Sequence, residues 1–399
     1  MRKDFIIMKI AIVTLYMVFI VFLCLCAGEI YARHVMKEPY LSGLKKSNPI
    51  FHHIPPPYYR DTMRSEGDFD LSFVTNNKGM RGPGNYVYEK KPGVFRIAML
   101  GDSMVFGVGV KAEETASAVL EGLLDRGKYK KYDVYNFGVY SYSPVTEYVY
   151  LKKEVIKYRP DLVVLMLDPG DIQDDWFYEP HLVYDAKGEI IGCDPFKVYG
   201  RPDIRGLCMK WSRLCFLLDQ KLFQSIRKMK MLGFANYFAN KSRGIRNKTE
   251  ILVNKDIDNI YFDRLILFRE GKNEKIVMRH WQRTAKYLTL IKDYLDDHKI
   301  KFILVAYPYG YQVGENQWSK GRTYWALEQN KRYDANTGFP IISDFAKKNN
   351  IDFINLCDPL IRANSELLYF ARDGHLTKRG QEVVADAIFN SDVFRKDLE

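Results

Sequence analysis

Short apolar segments alternate with longer amphipathic segments along most of the chain after residue 93. The short segments have the length of buried strands: Phe95–Leu100, Tyr132–Phe137, Asp161–Leu167, Phe302–Tyr307 and Asp352–Leu356. The longer segments carry apolar residues at helical spacing: Glu113–Arg126, Val145–Tyr158, Val277–His298, Ile341–Asn349 and Thr377–Phe389. Strands separated by helices form βαβ units. The pattern therefore predicts a five-stranded parallel sheet with helices on both faces.

The alternation stops at Trp176 and resumes at about residue 277. The residues between are mixed, basic and aromatic, with a helical stretch near Trp211–Met231. We interpret residues 176–276 as an insertion that interrupts an α/β domain of residues 93–392.

The N-terminus carries a long apolar segment. Ile10–Gly28 contains nineteen residues without a charge. As a helix it is about 28 Å long, enough to cross the hydrocarbon core of a bilayer. The alternative is a cleaved secretory signal, for which Ala27-Gly28-Glu29 is the nearest match to a cleavage site. We predict a transmembrane helix at residues 10–28. Residues 1–9, which include Arg2, Lys3 and Lys9, are expected in the cytoplasm, and the chain after the helix is expected outside.

Two flanking segments show no α/β pattern. Residues 29–92 are rich in proline, aromatic residues and turn signals, including Pro55-Pro56-Pro57 and Asn76-Asn77-Lys78-Gly79. Such a composition predicts an extended linker that leads away from the bilayer. Residues 393–399 are expected to form a tail.

The net charge of +11 includes a basic cluster at residues 210–248. It is either a solvated face or a surface that attracts anionic lipid or acidic polysaccharide. A membrane anchor with an exported domain argues against nucleic acid as a partner.

Four cysteines lie outside the apolar N-terminal segment: Cys193, Cys208, Cys215 and Cys357. Their spacing does not match a metal site, so no metal is expected. Cys193 and Cys208 could form a disulfide across the insertion, and the alternative is buried thiols.

In an open α/β sheet, ligands bind beyond the carboxyl ends of the strands. The residues that follow the predicted strands are therefore candidates for chemistry. They are Gly101-Asp102-Ser103, Gly138, Pro169-Gly170-Asp171, Tyr307-Pro308-Tyr309 and the loop that ends in Arg372-Asp373-Gly374-His375.

Ser103 and His375 are the candidates for nucleophilic catalysis. A serine hydroxyl needs a neighbouring base, usually a histidine that a carboxylate orients. Among the seven histidines, His375 is the one in a loop that follows a predicted strand and enters a terminal helix. Asp373 precedes it by two residues, and residues at this spacing project to the same side of an extended segment. One short loop is therefore expected to supply both the base and its orienting carboxylate.

These blocks together resemble the SGNH, or GDSL-type, hydrolases over residues 93–392 apart from the insertion. The resemblance implies a flavodoxin-like three-layer α/β/α sandwich in which Ser103 attacks an ester or transfers an acyl group. It also implies an oxyanion hole made by the amides of Ser103 and Gly138 with a residue of the third block. The spacing of Asp373 and His375 is similar to that of membrane-associated polysaccharide O-acetylation proteins, such as those of the alginate system.

The third block departs from the family. It reads Leu167-Asp168-Pro169-Gly170-Asp171-Ile172, so Gly170 stands where the family supplies an asparagine side chain to the oxyanion hole. Loss of one such donor costs about 10² to 10³ in rate unless another group replaces it. The Gly170 amide or Gln173 is a candidate replacement. The acidic residues of this loop are interpreted as a solvated turn.

Aromatic residues and a glutamine follow the fourth strand. Tyr307, Tyr309, Gln312 and Trp318 are suited to stacking on sugar rings and to hydrogen bonding with hydroxyls, or else to packing of a long loop.

We therefore expect a membrane-anchored serine esterase or O-acyltransferase that acts on an acylated cell-surface or extracellular carbohydrate, with acetyl as the expected acyl group. The resemblance implies no organic cofactor. Polysaccharide-assembly proteins are possible partners. The alternative hypothesis is a catalytically degenerate scaffold in an envelope polysaccharide-assembly complex.

Overall fold

A computed structural model of the chain describes residues 2–34, 46–82, 84–126, 131–195, 197, 212, 214, 274–322, 327–334 and 338–398. The chain divides into two compact units, one of residues 1–39 with 198–245 and one of residues 40–197 with 246–399. The predicted helix at Trp211–Met231, apart from Ser212 and Leu214, lies outside the described residues.

The strands of the described part are β1 (Lys46–Asn48), β2 (His52–Ile54), β3 (Arg60–Ser65), β4 (Phe69–Val74), β5 (Val94–Gly101), β6 (Lys131–Gly138), β7 (Leu162–Leu167), β8 (Leu182–Tyr184), β9 (Ile190–Cys193), β10 (Lys301–Ala306) and β11 (Asp352–Asn355).

The α-helices of the described part are α1 (Arg2–His34), α2 (Ser103–Phe106), α3 (Ala116–Leu124), α4 (Pro144–Lys153), α5 (Asp171–Tyr178), α6 (Glu274–Asp297), α7 (Gly310–Val313), α8 (Phe339–Lys348), α9 (Cys357–Arg362), α10 (Lys378–Asn390) and α11 (Asp392–Leu398). Short 3₁₀ turns occur at Ala112–Glu114, Val155–Tyr158 and Glu179–His181.

Five of the strands form one parallel sheet in the order β11-β10-β7-β5-β6. Numbered along the chain, this is the flavodoxin-like order 2-1-3-4-5. Every residue of β7, the central strand, is buried. The predicted number of strands and their parallel pairing are confirmed.

Helices cover both faces of this sheet. Ile97 and Met99 of β5 pack in one apolar cluster with residues of α3, α9 and α10. Ala98 and Leu100 pack in a second cluster with residues of α4, α6 and α8. Alternate residues of a strand point to opposite faces, so the two clusters lie on the two sides of the sheet. The three-layer α/β/α sandwich is confirmed.

Local capping explains where one predicted helix differs from the observed one. The segment predicted as Glu113–Arg126 forms a 3₁₀ turn and then α3, because Thr115 has extended backbone angles and begins a new helix. Its hydroxyl accepts a hydrogen bond from the Ala118 amide at 3.4 Å.

The segment predicted as an extended linker contains two antiparallel hairpins, β1 with β2 and β3 with β4. Met63 and Phe73 of the second hairpin are buried in a cluster with Phe106, Val108 and Tyr140. The segment predicted as an extended linker or pre-domain segment thus contributes apolar side chains that pack against the α/β unit. In the segment predicted as a tail, Asp392–Leu398 form α11 and Phe394 is completely buried.

Helix α1 belongs to the other unit. Its Ala11–Ala32 portion has a mean hydropathy of 2.6 and is mostly exposed, so its length and composition suffice to cross a membrane. In the same unit, Glu29 accepts hydrogen bonds from the Ser212 hydroxyl at 2.7 Å and the Leu214 amide at 2.8 Å.

Cys193 is a free, buried thiol at the end of β9. Cys208, its predicted disulfide partner, lies outside the described residues.

Candidate active site

Ser103 is the first residue of α2 and follows the carboxyl end of β5. The Asp102 side chain caps this short helix by accepting a hydrogen bond from the Met104 amide at 2.8 Å. Gly101 has no room for a side chain, because a Cβ atom would lie 2.5 Å from Cγ2 of Val105. The sequence Gly101-Asp102-Ser103 therefore allows a tight turn that leaves Ser103 partly exposed beyond the strand.

His375 brings Ser103 and Asp373 into one hydrogen-bonded chain. Its Nε2 lies 2.8 Å from Oγ of Ser103, and its Nδ1 is hydrogen bonded to Oδ1 of Asp373. An ionised carboxylate only accepts, so Nδ1 carries the proton and Nε2 is left to accept from the serine hydroxyl. Gly374, between the two loop residues, has a φ of +86° that favours glycine. The arrangement has the connectivity of a Ser–His–Asp triad.

The charges in this chain shift two pKa values. Burial lowers the pKa of His375, but the Asp373 carboxylate and its hydrogen bond raise it, with smaller contributions from Asp102 and Asp168. The net pKa lies above the ordinary value of 6.5. Burial raises the pKa of Asp373, but His375 lowers it to a net value below 3.8. Asp373 is therefore ionised at neutral pH, and its charge makes the His375 imidazole a stronger proton acceptor than a free imidazole.

We call residues 370–375 the His375 loop. Trp318, a candidate for sugar binding or for packing of a long loop, is buried against this loop. Its Nε1 donates to the Arg372 carbonyl at 3.2 Å, and a Cβ atom at Gly374 would lie only 2.6 Å from Nε1. The amides of Lys320 and Gly321 donate to the Ala371 carbonyl at 2.8 and 2.9 Å. Trp318 and the residues after it thus support the loop from inside.

The other predicted sugar-binding residues also make internal contacts. Tyr307 and Gln312 are completely buried. The Gln312 side chain accepts from the Tyr309 amide at 3.0 Å and donates to the Asp334 carbonyl at 3.2 Å. Tyr309 is half-buried and donates its hydroxyl to Asp168. Tyr307 and Gln312 have no exposed surface and Trp318 is 8% exposed, so all three pack within the domain in this structure. Their role toward a sugar stays a prediction.

The amide of Gly138, a predicted oxyanion donor, points to a side chain. It donates to Oδ1 of Asn136 at 2.9 Å, and the Asn136 amide group donates to the Val105 carbonyl at 2.6 Å. A Cβ atom at Gly138 would lie 2.2 Å from the backbone nitrogen of Phe106. Glycine is therefore required here for close approach of β6 to α2, whatever role its amide has. Sequence reasoning missed Asn136, whose neighbours lie in other parts of the chain.

Gly170 has a similar internal partner. Its amide donates to Oδ1 of Asp168 at 2.5 Å, and the Asp168 amide donates to Oδ2 of Asp171 at 3.1 Å. These bonds stabilise the turn between β7 and α5 and direct the Gly170 amide toward a carboxylate.

Several carboxylates are buried beside the site rather than forming a solvated turn. Glu147 and Asp171 are almost completely buried, and burial together with neighbouring carboxylates raises their pKa values well above the usual range. Burial raises the pKa of Asp175 to about 7, although Thr284 and Val145 donate to its carboxylate. Within the described ranges no group of His, Cys, Asp and Glu has an arrangement that could hold a metal ion.

The fold and the site together define a flavodoxin-like α/β protein with a Ser–His–Asp chain beyond the carboxyl ends of its strands. No family model matches the sequence, and no curated protein matches it.

Some solved structures show a distant likeness. The acetyl xylan esterase AlAXEase is 16% identical, with 74% of this chain and 98% of that chain covered and a TM-score of 0.37. A variant of the acetylxylan esterase Axe2 from Geobacillus stearothermophilus is 13% identical, with coverages of 75% and 95% and a TM-score of 0.37. The lipase/acylhydrolase from Enterococcus faecalis is 11% identical, with coverages of 75% and 96% and a TM-score of 0.38. At these TM-scores the likeness carries no argument about the activity of this chain.

Proposed function

We propose that this protein is an SGNH-type serine esterase that cleaves or transfers an O-acyl group. The observation that carries the proposal is the hydrogen-bonded chain from Ser103 Oγ through His375 to Asp373. A serine within 2.8 Å of a histidine that a carboxylate orients is the arrangement that activates a hydroxyl for attack on an acyl carbon.

In the first half of the reaction, His375 Nε2 takes the proton of Ser103 as Oγ bonds to the acyl carbon. Asp373 holds the imidazole with Nδ1 protonated and stabilises the imidazolium that forms. His375 then gives the proton to the departing alkoxy oxygen, which leaves an acyl-serine and a free alcohol. In the second half, water or an acceptor hydroxyl attacks the acyl-serine and His375 takes its proton. The bond from Oγ of Ser103 to the acyl carbon then breaks, and His375 returns the proton to Oγ.

The tetrahedral intermediate needs donors for its oxyanion. The amides of Ser103 and Gly138 are the proposed donors, with the Gly138 amide shared between Asn136 Oδ1 and the oxyanion in a three-centre bond. We assign Gly170 a weaker role, because its amide faces the Asp168 carboxylate at 2.5 Å. A site with two principal donors is expected to be slower than one with three.

The proposed substrate is an O-acetylated carbohydrate outside the cytoplasm. The spacing of Asp373 and His375 supports this, through its similarity to polysaccharide O-acetylation proteins. The apolar helix α1 supports a single-pass anchor. The basic residues Arg2, Lys3 and Lys9 ahead of its apolar stretch favour an extracytoplasmic location of the α/β unit. Transfer of the acyl group within a polysaccharide-assembly complex is the acyltransferase form of the same proposal.

A covalent serine probe tests the enzyme assignment. Full-length protein in detergent is treated with a fluorophosphonate, and stoichiometric labelling is expected for the wild type and none for Ser103→Ala. Ser72→Ala, an exposed serine on β4, is the matched control and retains labelling. Absence of wild-type labelling at every pH would refute the esterase and favour the non-catalytic scaffold. The hydrogen bonds of the Gly138 and Gly170 amides to internal acceptors are compatible with such a scaffold.

Two further measurements test separate parts of the proposal, namely the reaction type and the membrane topology. Release of acetate from an acetylated glycan in water, compared with transfer of acetyl to an added unacetylated glycan, separates hydrolase from transferase. A reporter fused after residue 60 tests the topology. A cytoplasmic signal from it would refute the extracytoplasmic location and the surface-glycan substrate.

A further inference from the structure

The His375 loop is bound by a carboxylate from outside the α/β domain. Asp68 lies in the turn that joins β3 to β4, far ahead of the loop in sequence. Its Oδ2 accepts hydrogen bonds from the amides of Arg372 at 2.9 Å and Asp373 at 2.8 Å. Two successive backbone N–H groups that converge on one oxygen form an anion-binding nest. The Asp68 carboxylate is the anion in this nest.

The turn that carries Asp68 is itself well defined. The Asp68 amide donates to the Ser65 carbonyl at 3.0 Å, and the Ser65 hydroxyl donates to Oδ2 of Asp68 at 3.2 Å. Gly67 has a φ of +77°, which closes the turn without strain. Six residue pairs of β3 and β4, from Arg60 with Val74 to Ser65 with Phe69, form the ladder behind it.

An aromatic contact reinforces the junction. The rings of Phe69, next to Asp68, and Phe370, in the His375 loop, have centroids 4.8 Å apart. Gly109 lies against both rings, and a Cβ atom there would be 2.5 Å from Phe370 and 2.7 Å from Phe69. Gly109 follows α2, the helix that begins with Ser103. The β3–β4 hairpin therefore contacts both the segment that follows Ser103 and the loop that carries His375.

We propose that Asp68 is a positioning residue that holds the His375 loop in the geometry needed for attack by Ser103, an inference that rests on the proposed esterase function. Asp68 acts through the backbone of Asp373, whose side chain orients His375. Loss of the carboxylate leaves two loop amides without their acceptor and frees the loop to shift. A displacement of about 1 Å at a catalytic group can cost about 10²-fold in rate.

The kinetic test compares Asp68→Ala and Asp68→Asn in the full-length protein, with p-nitrophenyl acetate as substrate. Asp68→Ala is expected to lower kcat about 10- to 10²-fold with KM nearly unchanged. Asp68→Asn is expected to lie between this variant and the wild type, because its amide oxygen still accepts both N–H groups without the charge. Asp70→Ala is the matched control, since Asp70 is 68% exposed on the same hairpin and pairs with Arg64. Its kcat is expected to match the wild type.

The pH profile separates positioning from a merely structural effect. A looser loop weakens the bond between Asp373 and His375, so the midpoint of kcat against pH is expected to move to lower pH in Asp68→Ala. A structural defect would reduce the active fraction and leave the midpoint in place. An unchanged kcat, or a reduced kcat with an unchanged midpoint, would overturn the inference.

A measurement without turnover distinguishes failure of this inference from failure of the proposed function. Histidine labelled with ¹⁵N reports the titration of His375 in wild type and Asp68→Ala, even if neither hydrolyses an ester. A downward shift of its midpoint in the variant supports the role of Asp68, and an identical titration refutes it. Asp68→Asn serves the same purpose if Asp68→Ala does not fold. Missing ester hydrolysis in the wild type would refute the esterase alone.

Discussion

Nε2 of His375 lies 2.8 Å from Oγ of Ser103, although 272 positions separate the two residues in the chain. The sheet order brings them together, because Ser103 follows β5 and the His375 loop precedes α10, which packs on the same face as α3. The carboxyl ends of neighbouring parallel strands share one edge of a sheet. A short contact across that edge is therefore a consequence of the topology.

We expect the activity to depend on pH through His375. Its protonated form cannot accept the Ser103 proton, and its pKa lies above 6.5. The kcat/KM for ester hydrolysis should therefore rise with pH and level off only above that raised pKa. Asp373→Asn removes the negative charge that raises the pKa of His375, while the burial that lowers this pKa remains. The midpoint of the pH profile should therefore move to lower pH. The plateau should fall by about 10⁴-fold because the amide no longer holds the imidazole in the productive tautomer.

The matched control for this variant is Asp70→Asn, which should follow the wild-type profile. A profile of Asp373→Asn with the wild-type midpoint would mean that Asp373 does not set the pKa of His375.

Glu147 is expected to reduce stability at alkaline pH. Both of its carboxylate oxygens lack a hydrogen-bond partner among the described residues, and its pKa lies well above 4.5. The folded state thus keeps a proton that the unfolded state releases, so stability falls as pH rises from the unfolded pKa through the folded one. Glu147→Gln removes this ionisation and its repulsion from Asp102, Asp175 and Asp168. We expect the free energy of unfolding at pH 8 to rise by about 1–3 kcal/mol.

Thermal unfolding at pH 5 and pH 8 checks this expectation. The gain should be smaller at pH 5, because this pH lies close to the ordinary pKa of 4.5 and the unfolded state releases less of the proton there. Glu66→Gln, an exposed glutamate in the β3–β4 turn, should show no gain at either pH. An equal gain from Glu147→Gln at both values would exclude ionisation as the cause.

The layers of the fold could be predicted from the sequence because each buried strand and helix is specified locally. Apolar runs such as Phe302–Tyr307 lie within one residue of the observed β10, Lys301–Ala306. The β3–β4 hairpin could not be predicted in the same way. Its strands are short and alternate weakly, and Met63 and Phe73 are buried only because the α/β unit provides a surface for them.

The candidate site also contains residues that the sequence could indicate and residues that it could not. Ser103, Asp373 and His375 could be proposed because each side chain has a chemical role that its residue type and its place after a strand indicate. Asn136 and Asp68 act on backbone amides, a role that many polar residues can fill. Which amides they reach is decided by tertiary packing, so no local pattern marks them. The burial of Tyr307 and Trp318, one of the two alternatives that their position allowed, is likewise decided by tertiary packing.

Gly138 offers a test of the packing requirement where β6 approaches α2. In Gly138→Ala the new Cβ would lie 2.2 Å from the Phe106 backbone nitrogen and 2.6 Å from the Val105 carbonyl carbon, neither of which can rotate away. We expect the free energy of unfolding to fall by about 1–3 kcal/mol or more. Gly122→Ala is the control, because Gly122 lies in α3 with open space around its Cβ position. It should gain about 0.5–1 kcal/mol. Urea unfolding measures both, and a stable Gly138→Ala would contradict the packing requirement.

Trp318 distinguishes support of the His375 loop from the sugar binding that its sequence position indicated. Trp318→Phe keeps an aromatic ring against Gly374 but loses the hydrogen bond from Nε1 to the Arg372 carbonyl. Loss of one such bond is worth about 0.5–1.5 kcal/mol, so kcat should fall about 2- to 10-fold with KM unchanged. The loss should be the same for p-nitrophenyl acetate and for an acetylated oligosaccharide, because a loop support acts on every substrate. If Trp318 stacked on a sugar, KM would rise for the oligosaccharide and stay constant for the small ester. Steady-state kinetics with both substrates therefore assigns the residue to one role. An increase in KM for the oligosaccharide alone would show that Trp318 binds sugar.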